Sequence, residues 1–536
     1  MKRGKLIIFL VLISLISFSQ QVSIIPQPVK VTVNNGTFNI TPKTVIVVTD
    51  EEGKKAAQFL ADYIENVYGV TLETGSAKSA GFIKLVTKKF IKAPSTDAYT
   101  LEAASNGVTI TGDTYPATFY GIQSLIQLLP LQTNGPLIIP AVSIIDSPRF
   151  TYRGMHLDVG RHFFPVAFVK KYIDYIALHK MNYFHWHLTE DQGWRIEIKK
   201  YPELTNIGSC RDSTIIGHFP GKGNDGKKYC GYYTQDDVRE VVKYAADRFI
   251  TVVPEIEMPG HAEAALTAYP WLGCPGTGPY KVEGTWGVFD DVYCAGKDST
   301  FQFLQDVLDE VLDLFPSPYI HVGGDECPKT NWKKCSLCQA RMKAEGLKDE
   351  HGLQSYFISR MEKYLNSKGR KIIGWDEILE GGLAPNATVM SWRGEQGGIA
   401  AAKQNHEVIM TPGAWVYFDH SQVKPDDSLT IGGYTTVQKV YSYEPVPKEL
   451  NAAKAKYVLG AQANVWTEYM EYPSKVEYMI FPRMSALSEV LWSPKSSRNW
   501  KLFEPRLRDQ FKRYDLWKVN YSKAFFKPKP TTPAKK

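Results

Sequence analysis

From Pro148 onward the chain repeats one pattern: a short apolar run, an end marked by polar or aromatic residues, then a stretch with helical spacing. "TYRGMHLDV" leads into "PVAFVKKYIDYIALHK", and "NYFHWHL" follows it. "DDVREVVKYAADRF" precedes "ITVVPEIEMPGH", and "FQFLQDVLDEVLDLF" precedes "YIHVGGDE". "SYFISRMEKYLNSKG" leads to "KIIGWDE"; "ATVMSW", "HEVIMTP" and "LGAQANVWTE" complete the series. Roughly eight strands alternating with helices predict an α/β fold, a (β/α)8 TIM barrel with long loops. A doubly wound sheet is the structural alternative, but no glycine-rich phosphate loop opens any of these helices.

The segment ahead of Pro148 reads differently. "TVIVVTD", "FIKLVTKK" and "GVTITGD" look like strands, while "KKAAQFLADYIENVYG" and "YPATFYGIQSLIQLLP" have helical spacing and stop at Gly69 and Pro130. Tryptophan is absent before Trp186. The expected organisation is a leader over 1–20, a small α+β domain over 21–147, the barrel over 148–520 and a basic tail over 521–536. The leader "MKRGKLIIFLVLISLISFSQ" has a basic start, an apolar stretch and a Ser-Phe-Ser triplet, the pattern of a secretory signal peptide. An uncleaved membrane anchor is the alternative. The expected location is periplasmic or secreted, in a Gram-negative bacterium, with no membrane span once the leader is removed.

The net charge of +7 is concentrated at the two ends, in Lys2, Arg3, Lys5 and the lysines of "SKAFFKPKPTTPAKK". The body is close to neutral, so no basic face for nucleic acid is expected. The Pro- and Thr-containing tail reads as disordered.

Polar and aromatic residues gather where the barrel strands end: His185 and His187, Glu255 and Glu257, Asp325 and Glu326, Trp375 and Asp376, Trp392 and Arg393, Trp466 and Glu468. In a barrel those ends converge on one mouth. Asp325 and Glu326 are adjacent, although neighbouring carboxylates repel and raise each other's pKa. A glycoside hydrolase uses paired acids as proton donor and acceptor, with tryptophans against sugar rings. Adjacent residues sit poorly on opposite faces of one glycosidic bond, so the second carboxylate needs a role other than direct attack. A metal-dependent hydrolase is the competing reading, because His185-Trp186-His187 places two imidazoles on one strand face. A non-catalytic carbohydrate-binding module would keep the aromatic wall but has no use for the acid pair.

All seven cysteines lie between Cys210 and Cys338. In an exported chain some form disulfides, and Cys210–Cys230 and Cys274–Cys294 are the expected pairs. Cys335-x-x-Cys338, with Cys327 nearby, lacks a second paired motif for zinc, so a local disulfide or free thiols is the preferred reading.

"YRGMHLDVGRHFFP", "HWHLTEDQGWRIEIKKYP", "PEIEMPGH", "HVGGDE", "GWDE", "VMSWRGE", "YFD" and "NVWTE" occur in this order. Together they resemble the family-20 glycoside hydrolases, the β-N-acetylhexosaminidases. The resemblance covers nearly all of the chain after the leader, since that family also carries a small α+β domain ahead of its barrel. It implies exo-acting release of terminal β-linked GlcNAc or GalNAc by a retaining mechanism, in which the substrate's acetamide oxygen attacks to give an oxazolinium intermediate. Glu326 is then the general acid and base, Asp325 steadies the acetamide nitrogen, and Tyr417 donates to its carbonyl. Trp375, Trp392 and Trp466 wall the sugar; Arg161, Asp419 and Glu468 take its hydroxyls; and His261 stands behind the acid. Glu190-Asp191-Gln192 stands where many members have Asp-Asp-Gln, and Glu190 is expected to pair with Arg161 or a hydroxyl. Repulsion from Asp325 is expected to keep Glu326 protonated near neutral pH. The resemblance implies a carbohydrate partner and no metal or organic cofactor.

Overall fold

The computed structural model describes residues 22–526, except 49, 77–80 and 91–95. The expected leader and residues 527–536 of the expected tail lie outside the described residues. Residues 521–526, expected to begin a disordered stretch, are instead packed: Tyr521, Phe525 and Phe526 lie 5.1, 5.6 and 4.5 Å from Phe511, centroid to centroid. Ring contacts with Phe511 hold this segment against the body of the protein.

The first domain is a seven-stranded mixed sheet of β1 (Lys30–Ile40), β2 (Val45–Val47), β3 (Glu73–Thr74), β4 (Phe82–Thr87), β5 (Tyr99–Ala104), β6 (Gly107–Gly112) and β7 (Leu137–Asp146), in the order β1-β7-β5-β6-β4-β2-β3. Helices α1 (Glu51–Tyr68) and α2 (Tyr115–Leu128) pack against it. Asp50 caps α1 by accepting from Gly53 N, and the helix ends at Gly69 with φ 69°, a turn that glycine adopts without strain. Ala56, Ala57, Leu60 and Ile64 form its buried stripe.

The second domain is a closed parallel barrel. Its strands are β8 (Tyr152–Asp158), β9 (Tyr183–His187), β10 (Thr251–Met258), β11 (Tyr319–Gly323), β12 (Lys371–Trp375), β13 (Thr388–Ser391), β14 (Val408–Met410) and β15 (Val458–Ala463). Each pairs with its sequence neighbour, and β15 closes on β8 through Gly460↔Tyr152 to Ala463↔Met155. Every segment of the expected series supplies one strand. The residues that follow these strands therefore meet at one end of the barrel. Not all the expected mouth residues reach it: His185, His187 and Glu255 lie inside β9 and β10 and are fully buried.

Asp146, at the end of β7, joins the domains. Its carboxylate pairs with Lys180 Nζ at 3.0 Å and accepts from Tyr99 Oη at 2.7 Å and Trp492 Nε1 at 2.9 Å, and both charged side chains are wholly buried. Removing one partner of such a pair strands a buried charge. Asp146→Ala is expected to destabilise the protein by about 3–5 kcal/mol, read from its unfolding midpoint, and the double variant with Lys180→Met to recover a large part of the loss.

Cys210 and Cys230 are disulfide-bonded across a short antiparallel ladder. The expected Cys274–Cys294 bond is absent. Cys294 Sγ lies instead 3.7 Å from Cys338 and 3.8 Å from Cys335, and Cys274 Sγ lies 3.8 Å from Cys338. The loops after β10 and β11 bring these thiols together, so neither sequence spacing nor a pairwise rule describes them.

Candidate active site

The stretch His321–Glu326 turns sharply as it leaves β11. Gly323 and Gly324 have φ of 64° and 89°. A Cβ on Gly323 would lie 1.8 Å from Glu257 Oε2, and one on Gly324 would lie 2.6 Å from Ile378 Cγ2, so both positions require glycine. The turn delivers two carboxylates to different depths: the Asp325 side chain is 11% exposed and that of Glu326 is 39% exposed. Adjacent in sequence, they are a floor group and a rim group.

Glu326 (φ 41°) and His261 (φ 50°) both occupy the left-handed region without being glycine. Such strain persists only where surrounding packing holds it, and it concentrates at functional sites. Here the two residues face each other. His261 Nε2 is 3.6 Å from both Asp325 Oδ2 and Glu326 Oε2, while Nδ1 is 2.8 Å from Glu190 Oε1 and 3.0 Å from Asp191 Oδ2.

This arrangement reverses the expected protonation of Glu326. Burial disfavours charge on His261, but Glu190, Asp191 and Asp325 outweigh it and hold the imidazole well above its ordinary pKa. The interaction with His261 in turn holds the Glu326 carboxyl below the usual range, with further help from the charge on Arg161. The cation thus outweighs burial and the charge of Glu190, both of which act to raise the Glu326 carboxyl. Asp191 is pushed up to about 6 by burial. Glu190 is also disfavoured by burial, but Arg161 and His261 keep it ionised, well below its usual range.

A cavity of about 280 Å³ opens at this end of the barrel. Its lining includes Arg161, Glu190, His261, Asp325, Glu326, Trp375, Trp392, Tyr417, Asp419, Trp466 and Glu468, so the structure brings together every residue to which the family resemblance gave a role. Arg161 is aimed by Glu190 at 3.2 Å, Asp158 at 3.5 Å and Gln192 Oε1 at 3.1 Å. The Trp375 indole donates to Glu255 at 2.8 Å and the Trp392 indole to Glu377 at 2.9 Å, which fixes both ring planes. Trp375 and Trp466 have centroids 5.8 Å apart, and Trp392 stacks near Tyr417 at 6.3 Å and 21°. Burial raises the Tyr417 pKa well above its usual value, so its hydroxyl remains a donor.

Several buried polar atoms of this lining have no protein hydrogen-bond partner: Asp325 Oδ1, Asp419 Oδ1 and Glu468 Oε2. Buried polar atoms are normally satisfied, so a group of acceptors around one cavity leaves places for the hydrogen-bond donors of a ligand. Other positions in and around the site were given no role from sequence. Asp158 and Asp191 lie inside the quoted motifs, whereas His420 and the Ile431–Gly433 loop have no motif that distinguishes them.

The imidazoles of the metal reading are otherwise engaged. His187 Nδ1 bonds Glu255 Oε2 at 2.5 Å, His321 Nδ1 lies 2.7 Å from Glu255 Oε1, and His185 Nδ1 meets the Gln462 amide at 3.0 Å. Burial lowers the His185 pKa to about 4, whereas Glu255 overcomes the same burial at His187 and pushes it up to about 10. These residues form a polar layer within the barrel, and neither His185 nor His187 lines the cavity.

The catalytic-domain model of glycosyl hydrolase family 20 matches residues 150–495, and the model of that family's domain 2 matches residues 21–147. The chain belongs to glycosyl hydrolase family 20. A relative, the beta-hexosaminidase of Porphyromonas gingivalis, is 50% identical over 514 residues, which is 94% of this chain and 65% of the relative. The chain thus spans just under two thirds of that relative's length. Among solved family-20 structures, the exo-β-N-acetylglucosaminidase of Vibrio harveyi, in complex with N-acetylglucosamine, has a TM-score of 0.83 at 31% identity, covering 94% of this chain and 79% of that one. The β-N-acetylhexosaminidase of Bacteroides fragilis has a TM-score of 0.79 at 35% identity, over 93% and 96% of the two chains.

Proposed function

We propose that the chain is an exo-acting β-N-acetylhexosaminidase that releases terminal β-linked GlcNAc or GalNAc with retention of configuration. The observation that carries this reading is the two-level carboxylate pair. Asp325, buried with an unpartnered oxygen, faces into an aromatic box, and Glu326 stands at the rim above it. An acetamido group lying on Trp375, Trp392 and Trp466 would give its N–H to Asp325 and accept from Tyr417 at its carbonyl. Its oxygen is then held for attack on the anomeric carbon, and Asp325 balances the positive charge that develops on the oxazolinium. Glu326 delivers a proton to the leaving oxygen and afterwards activates water. The imidazolium of His261 is the nearest proton reservoir for that step. Arg161, Asp419 and Glu468 receive the ring hydroxyls. The small cavity favours one terminal sugar, which supports exo action. The family likeness and the Cys210–Cys230 disulfide both support an exported enzyme acting on glycans outside the cytoplasm.

A panel of aryl β-glycosides tests the reading. Those of GlcNAc and GalNAc are expected to be cleaved, and those of glucose and galactose to be very poor substrates. A GlcNAc-thiazoline, which mimics the cyclised intermediate, is expected to inhibit competitively at least about 10²-fold more tightly than GlcNAc. Comparable turnover of β-glucosides, or an inverted product seen by NMR, would remove the acetamide from the mechanism.

A further inference from the structure

Outside the cavity, four cysteines converge among the described residues. Cys274 and Cys294 lie on the loop between β10 and the helix Asp298–Leu314; Cys335 and Cys338 lie on the segment after β11. All four are buried, and their sulfurs lie within 4.8 Å of one another. Three of the separations are 3.7–3.8 Å. A disulfide needs about 2.05 Å. A tetrahedron of thiolates around zinc, with bonds of about 2.3 Å, has edges of about 3.8 Å. The sulfurs are therefore spaced as ligands of one ion rather than as bonded pairs.

Two further observations fit that spacing. Cys335 is the N-cap of the helix Ser336–Ala344 and makes no side-chain cap bond, and Cys338 follows in the first turn. Residues three apart at a helix start are neighbours, so the two sulfurs reach the same point. Gly296 lies against the same turn: a Cβ would be 2.3 Å from the Leu337 carbonyl carbon and 2.5 Å from Cys338 N, so glycine allows the two loops to close on the sulfurs.

We propose that Cys274, Cys294, Cys335 and Cys338 form a structural site for one zinc ion, which clips the loop following His261 to the segment following Asp325 and Glu326. Ligation releases the thiol protons to solvent and involves no oxidation. Binding here holds the two strained residues, His261 and Glu326, opposite each other, and takes no part in the reaction itself. The site runs against the sequence expectation of no metal, because Cys274 and Cys294 lie 64 and 44 residues from Cys338 and form no recognisable zinc spacing.

The test uses the full chain produced in zinc-supplemented medium. Elemental analysis is expected to give about one zinc per chain, and thiol titration in denaturant with chelator to find all five unpaired cysteines. Cobalt(II) exchange is expected to give the intense thiolate charge-transfer and visible bands of a tetrahedral sulfur site. Cys338→Ser is expected to abolish stoichiometric zinc and Cys327→Ser to retain it; if Cys338→Ser does not fold, the cobalt spectrum of the unsubstituted chain still decides the ligand set. Iron in place of zinc, a single free thiol with two further disulfides, or five thiols that take up no zinc on titration would each overturn the proposal. Loss of zinc is also expected to lower the thermal midpoint and turnover together, and unchanged values after proven removal would overturn the clip.

Discussion

Glu326→Gln is expected to lower turnover of a GlcNAc disaccharide by about 10²- to 10⁴-fold, the usual contribution of a positioned proton donor. An aryl glycoside with a good leaving group should suffer much less in its first step, because its departure needs little protonation. The split between the two substrates is the informative measurement. It separates loss of the acid from general damage to a site where Glu326 already holds a strained φ of 41°. Near-normal turnover of the disaccharide by the variant would take Glu326 out of the reaction.

Asp325→Asn is expected to cost about 10²- to 10³-fold in turnover, as losing one preorganised stabiliser of developing charge does elsewhere. Affinity for the thiazoline should fall in parallel, since that inhibitor carries the same cyclised group. Tyr417→Phe should weaken both in the same direction through the carbonyl oxygen. A second readout is available nearby: burial and the charge of Asp325 together push Glu377 up to about 8, so the neutral variant should lower that pKa. Inhibition by the thiazoline unchanged in Asp325→Asn would place the acetamide elsewhere.

The barrel was legible because each of its strands carries its own signal, an apolar run followed by an abrupt polar end. "KIIGWDE" and "YIHVGGDE" show this without any tertiary information. The edge strand β1 was not legible: "KVTVNNGTFNI" is mostly exposed and interrupted by polar residues, so its pairing with β7 decides its structure more than its own pattern does. The site residues could be named from motif order, but not their charge states. The protonation of Glu326 depends on His261, whose own charge depends on Glu190 and Asp191 from the end of another strand. Each link in that chain of influence is a spatial contact, invisible until the strands are closed into a barrel. The cysteines failed for the same reason, because Cys274 finds its neighbour Cys338 only through the fold.

Asp146 makes the two domains a single inheritance. The residue is encoded with the small sheet, yet the cation it neutralises follows the first barrel helix and the indole it accepts from lies in a late one. A recombination that cut the gene between β7 and β8 would look clean on a domain map. It would nonetheless leave Lys180 buried without a counter-ion in one product, and Asp146 without its cation in the other. Each half is thus penalised for travelling alone, and the small domain is expected to accompany this barrel wherever Lys180 is retained.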